Sequence, residues 1–225
     1  MVQRKKLYAA LTGDVIKSSR LDSEARKRLN EAILTAGEEL RKSFPGLVAG
    51  GINIFRGDSL QFLIDDPSKA LRTALFFRAA LKATSGLKTD IRIAIGIGTV
   101  DFMPETARGG ADGEAYRLSG PALDSMKTKQ TLCLTLSRTL ALSPQTRMAL
   151  ETTVALAGVL AERWTGKQAL AIKGALLGQT QEEIRKSWPI PVTRQAVAKH
   201  LDGAGWFGVE QALAVFESFE FSASD

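Results

Sequence analysis

Two aspartates each follow a glycine, Gly13-Asp14 and Gly57-Asp58. A glycine at that place lets backbone approach an anionic group with no Cβ in the way. Carboxylates are hard oxygen ligands, and magnesium sites commonly use one or two of them, with substrate phosphates completing the shell. After Asp14 the chain reads Val15-Ile16-Lys17-Ser18-Ser19-Arg20. This is a polar turn before a helix, and its backbone N–H groups, with Lys17 or Arg20, suit phosphate oxygens. The chemistry implied is binding of a nucleotide or other phosphorylated ligand with a divalent cation, Mg2+ or Mn2+. Each aspartate alone also has a structural role, because Asp in a turn accepts hydrogen bonds from local backbone. The pair is what points to a site.

For the pair to meet, the elements carrying it must converge. A strand over 7–12 ends in Gly13-Asp14, and residues 22–44 read as a helix because Ala25, Leu29, Ala32, Ile33, Ala36 and Leu40 recur at helical spacing. Residues 47–55 and 60–64 read as strands joined by the tight turn Arg56-Gly57-Asp58-Ser59. Asp66-Pro67 opens a second helix, running to about Thr84. Residues 90–100 alternate Ile91, Ile93, Ile95 and Ile97 with small or polar residues, a half-buried strand. A glycine-rich loop over 108–113 precedes a short helix near 119–129, and 132–136 is a last strand. The order βαββαβαβ predicts an α+β, ferredoxin-like sheet with an appended αβ unit. In such a sheet strands one and three are central neighbours, so Asp14 and Asp58 are expected at one edge. From Ser143 the chain reads as wholly helical, which places domains at 1–140 and 141–225.

Composition narrows the chemistry. One cysteine, Cys133, rules out an internal disulfide and a thiolate cluster and fits a reducing cytoplasm, and one histidine, His200, nearly excludes a histidine-based metal site or triad. No apolar run reaches the roughly 18 residues that span a membrane, so no membrane partner is expected. The net charge of +6 is uneven. Residues 1–150 carry 23 Lys+Arg against 15 Asp+Glu, and residues 151–225 carry 7 against 9. The basic first part suits a phosphorylated ligand, and a solvated basic surface accounts for it equally well.

The stretches Leu11-Thr12-Gly13-Asp14-Val15-Ile16-Lys17-Ser18, Arg56-Gly57-Asp58-Ser59-Leu60-Gln61, 91–98 and Gly113-Glu114-Ala115-Tyr116-Arg117-Leu118-Ser119-Gly120 resemble the SatD family of bacterial proteins. More distantly they are similar to class III nucleotidyl cyclases and diguanylate cyclases. The resemblance covers about residues 6–136. In those enzymes an acidic residue on the first strand and another in the hairpin bind two metal ions that activate a ribose hydroxyl, and Asp14 and Asp58 match that pair by position. By the same resemblance a homodimer is expected. The departures are specific. Ile54 stands where the cyclases carry a base-reading lysine, Ser59 where diguanylate cyclases carry a glutamate, and the late-helix Asn and Arg have no counterparts around 122–127. The resemblance therefore implies metal and phosphate binding with little or no cyclase activity on ATP or GTP alone. Arg56, Tyr116 and Arg117 are the remaining polar candidates for ligand recognition, each with an ordinary surface role as its alternative.

The helical part has its own pattern. Residues 166–177 form an amphipathic helix stopped by Gly178, and Thr180 with Glu183 makes a capping box. Residues 193–201 form a further helix with Val197 and Leu201 inward and Arg194, Gln195, Lys199 and His200 outward. This resembles a helix-turn-helix, with a turn at 187–192 about two residues longer than usual. Residues 184–201 contain four Lys+Arg and no acid, which suits phosphates and base edges; Arg194, Gln195 and Lys199 are the candidate DNA contacts. The reading is a cytoplasmic regulatory protein that binds a nucleotide or related ligand with magnesium and contacts DNA. Two-metal nucleotidyl transfer at Asp14 and Asp58 is the second reading, and a protein-interaction module with a degenerate site is the third.

Overall fold

The structure, a computed structural model, describes residues 6–18, 21–55, 58–84, 89–102 and 112–223. It is a mixed α+β chain. The strands are β1 (Leu7–Val15), β2 (Val48–Phe55), β3 (Ser59–Ile64), β4 (Ile91–Thr99) and β5 (Leu132–Leu136). Among them lie α1 (Ser23–Ser43), α2 (Ala70–Ala83) and α3 (Glu114–Asp124). Then come α4 (Pro144–Glu162), α5 (Gly166–Leu176), α6 (Gln181–Lys186), α7 (Arg194–Gly203) and α8 (Trp206–Glu217). The strands form one sheet in the order β2-β3-β1-β4-β5. β1 is antiparallel to both β3 and β4, and β5 is parallel to β4.

The period-two alternation of the strands sorts their side chains onto two faces. Leu7, Ala9, Leu11 and Val15 of β1, with Ile91, Ile93, Ile95 and Ile97 of β4, enter a large core that includes Leu29, Ile33 and Leu40 of α1 and Leu71, Leu75 and Phe76 of α2. On the other face Ala10, Leu63 and Ala115 form a smaller cluster with the partly buried Tyr8, Ala49 and Tyr116. Here α3 lies directly on β4. A Cβ at Gly96 would run into the Ala115 carbonyl oxygen and come within 2.7 Å of the Ser119 nitrogen, so only glycine admits this approach.

Two elements differ from expectation. β1 runs on through Val15, because Gly13, Asp14 and Val15 continue the ladder opposite Ile93, Arg92 and Ile91. Helix α3 begins at Glu114, not near 119, since Ala115, Ser119 and Leu123 bury one helical face and Pro121 sits within the helix.

The helices after residue 140 share the main core. Val154, Trp164, Ile172, Val197 and Phe216 belong to the same buried cluster as the sheet. Ion pairs reinforce that packing: Lys173 to Glu39, and Lys69 and Arg72 to Glu217. Arg78, only 2% exposed, donates to both carboxylate oxygens of Asp90 at 2.8 and 2.6 Å and to Thr131 Oγ1 at 2.7 Å. Lys82 approaches the same Asp90 carboxylate at 3.0 Å. Among the described residues no helix is long and apolar enough to cross a membrane.

Candidate functional site

Register brings the carboxylates to one end of the sheet. Asp14 of β1 is paired with Ser59 of β3 on one side and Arg92 of β4 on the other. Asp58 precedes Ser59, and its carbonyl accepts the Val15 N–H at 3.1 Å. The hairpin end is thereby tied to the chain leaving β1. The carboxylate of Asp58 accepts a hydrogen bond from Ser18 Oγ at 2.6 Å. Lys17, between them, is exposed and in the left-handed region at φ 61°, a turn that lifts Ser18 back toward Asp58.

Asp14 is held differently. Its Oδ2 accepts a hydrogen bond from Arg92 Nη2 at 2.7 Å, with the side chains 28% and 31% exposed respectively. Gly13 packs on the core face, where an added Cβ would stand 3.0 Å from Ile91 Cδ1 and 3.2 Å from the Arg92 carbonyl oxygen. Glycine there keeps β1 close to its neighbours. On the site face, one residue pair behind, runs a polar row. Gln61 Nε2 donates to Thr12 Oγ1 at 3.1 Å, and Thr12 Oγ1 shares a hydrogen with Ser119 Oγ at 2.8 Å. Asn53, paired with Gln61, has a buried Oδ1 with no partner among the described residues.

The donor set can be weighed against the ion. Among the described residues no three acidic, cysteine or histidine side chains gather into a metal group. Two carboxylates at adjacent strand ends fit magnesium, which keeps several waters and takes further oxygens from phosphate. They do not fit a cation held wholly by protein ligands.

The other expected ligand-binding residues divide. Gly13, Lys17 and Ser18 lie at this end of the sheet; Arg20, Arg56 and Gly57 fall outside the described residues. Tyr116 packs toward the Ala10 and Leu63 cluster, and burial pushes its phenol up to about 12. Arg117 is placed elsewhere. It donates to Asp112 and Asp101 at 2.7 and 2.8 Å, beyond the Thr99 end of β4. Seven residue steps of strand lead from that end to Arg92, roughly 23 Å. The missed residue is Arg92. Its signal was present, because in Ile91-Arg92-Ile93 the alternation exposes Arg92 on the face opposite the core. Ile54, at the position of the cyclase lysine, packs against the core.

In the helical part, Val197 and Leu201 of α7 are buried, and Arg194, Gln195 and Lys199 are exposed. Arg194 Nε donates to Gln181 Oε1 at 3.3 Å. Arg185 is neutralised by Glu182 through contacts of 2.8 and 2.6 Å. The His200 ring stacks on Trp188 at 5.5 Å between centroids. Burial, helped by Lys167 and Lys199, lowers the pKa of its imidazole.

No family model and no curated protein matches the chain. Among solved structures the chain is similar to the guanylyl cyclase Cya2, with a TM-score of 0.41 and 16% identity over 59% of this chain and 77% of that one.

Proposed function

We propose that this protein binds a nucleotide or a related phosphorylated ligand together with a divalent cation at the Asp14–Asp58 end of its sheet. The observation that carries this reading is the pairing of Asp14 with Ser59 and of the Val15 N–H with the Asp58 carbonyl, which sets both aspartates beside one turn. Asp14 and Asp58 would hold the cation, which would supply positive charge to phosphoryl oxygens. Lys17 and the backbone of the Lys17-Ser18 turn supply donors to those oxygens, and Ser18 orients the Asp58 carboxylate. With Ile54 turned to the core, the base-reading position of the cyclases has no polar group, so binding is favoured over cyclisation. Magnesium and a nucleotide should bind together, and loss of either aspartate should remove that binding.

A second role belongs to α6 and α7, read as a helix-turn-helix contacting DNA. It is favoured by the outward face of α7, where Arg194, Gln195 and Lys199 are exposed over buried Val197 and Leu201. Arg194 and Gln195, near the N-terminus of α7, are the base readers in this account, and Lys199 is a phosphate contact. Random-sequence selection with the full chain should enrich a motif for which Arg194→Ala loses about 1–3 kcal/mol of affinity. Enrichment of no motif would make this face a protein contact instead.

A further inference from the structure

We infer that Arg92 makes this end of the sheet a site for a cation and a phosphoryl group arriving together, and a poor site for either alone. The inference rests on the reading of Asp14 and Asp58 as cation ligands.

The Arg92 guanidinium already occupies Asp14 Oδ2 at 2.7 Å. A cation arriving alone must displace it or take the other oxygen of Asp14, and either way it faces a positive charge held in register on the neighbouring strand. An anion arriving alone is attracted by Arg92 but meets two carboxylates, Asp14 and Asp58. When both arrive, the charges can alternate. Asp14 turns to the cation and Arg92 to a phosphoryl oxygen, for which the planar fork of guanidinium N–H groups is well matched. Arg92 has the capacity for this exchange. Among the described residues its side chain makes no hydrogen bond other than that to Asp14, and it is 31% exposed on the face the ligand would approach. Asp58 is not blocked in the same way, because its partner is the neutral Ser18 hydroxyl. The asymmetry between the two aspartates is what gives Arg92 control of co-binding.

The test is calorimetric titration of the full chain with magnesium alone, with inorganic tripolyphosphate alone in the presence of a chelator, and with the preformed magnesium–tripolyphosphate complex. Wild-type protein, Arg92→Met and Arg92→Lys are compared, and Arg92→Gln replaces Arg92→Met if the latter fails to fold. The wild type should bind the complex about fivefold more tightly than magnesium alone, the upper end of what one partly exposed ion pair contributes. Arg92→Met should bind magnesium alone about fivefold more tightly than wild type and the complex more weakly. Arg92→Lys, which keeps the charge, should retain the preference for the complex. A merely structural Arg92 would lower both affinities together, and that result overturns the inference, as does an unchanged affinity for magnesium alone. If the wild type binds magnesium and the complex with Asp14 dependence but Arg92→Met keeps its preference, only this inference falls. If the wild type binds neither, the proposed function falls with it.

Discussion

Ser18 donates its hydroxyl hydrogen to Asp58 Oδ2 at 2.6 Å across 40 residues of chain, and the Asp58 carbonyl in turn accepts the Val15 N–H. The turn after β1 and the β2–β3 hairpin therefore form one unit, with the Asp58 carboxylate held by Ser18.

Ser18→Ala removes that orientation. Hydrogen bonds to a charged group contribute about 1.5–3 kcal/mol when sheltered. This one is partly exposed, so a loss of about 1 kcal/mol in chemical denaturation is expected. Affinity for magnesium with a nucleotide should fall several-fold while Ser18→Thr, which keeps a hydroxyl, recovers part of it. Unchanged affinity in Ser18→Ala would mean that Ser18 does not set the Asp58 rotamer.

Arg78 joins α2 to the entry of β4 and β5, and Gly158 of α4 stands 3.4 Å from its Nη1. Breaking a buried pair by removing one partner typically costs about 3–5 kcal/mol. Lys82 still faces Asp90, so Arg78→Met should cost about 3 kcal/mol, at the low end. Urea unfolding reads this directly, and the double variant Arg78→Met with Asp90→Asn should be less destabilised than the sum of the singles. Strict additivity would show that the pair does not act as a clamp.

His200 gives the helical part a pH dependence. Its pKa is lowered on folding, by burial first and then by Lys167 and Lys199, so the unfolded chain takes up the proton more readily. Its contribution to stability is full above the ordinary histidine value and is lost as pH falls through the lowered folded value. Between about pH 7 and pH 5, thermal stability should decline more steeply in wild type than in His200→Gln. Trp188 emission, reporting on the stacked pair, should follow the same course; equal slopes would exclude His200 as the titrating group.

Much of the first 140 residues was legible because strands and helices advertise themselves by period. The placement of Asp14 beside the hairpin followed from the turn Arg56-Gly57-Asp58-Ser59 and the neighbourhood of strands one and three. Other features depend on register between distant segments. Arg92 reads locally as one polar residue in an isoleucine strand, and only its pairing opposite Asp14, 78 residues earlier, makes it part of the site. Arg117 is the converse case: its ion pairs with Asp101 and Asp112 hold it at the far end of β4. The start of α3 was placed near 119, five residues late. The helix begins at Glu114 and carries Pro121 in its last turn, while Ala115, Ser119 and Leu123 bury the face against β4. How closely α4–α8 join the main core also lay beyond local pattern, since Arg72 and Glu217 meet across 145 residues.

The central claim is tested most directly by calorimetric titration of magnesium with a panel of nucleoside mono-, di- and triphosphates into wild type, Asp14→Ala and Asp58→Ala. Neither aspartate is buried in the core, so both variants should remain folded by circular dichroism. The wild type should bind at least one nucleotide only when magnesium is present, and each variant should abolish this binding. Absence of nucleotide binding by the wild type across the panel would contradict the claim, as would wild-type affinity in both variants.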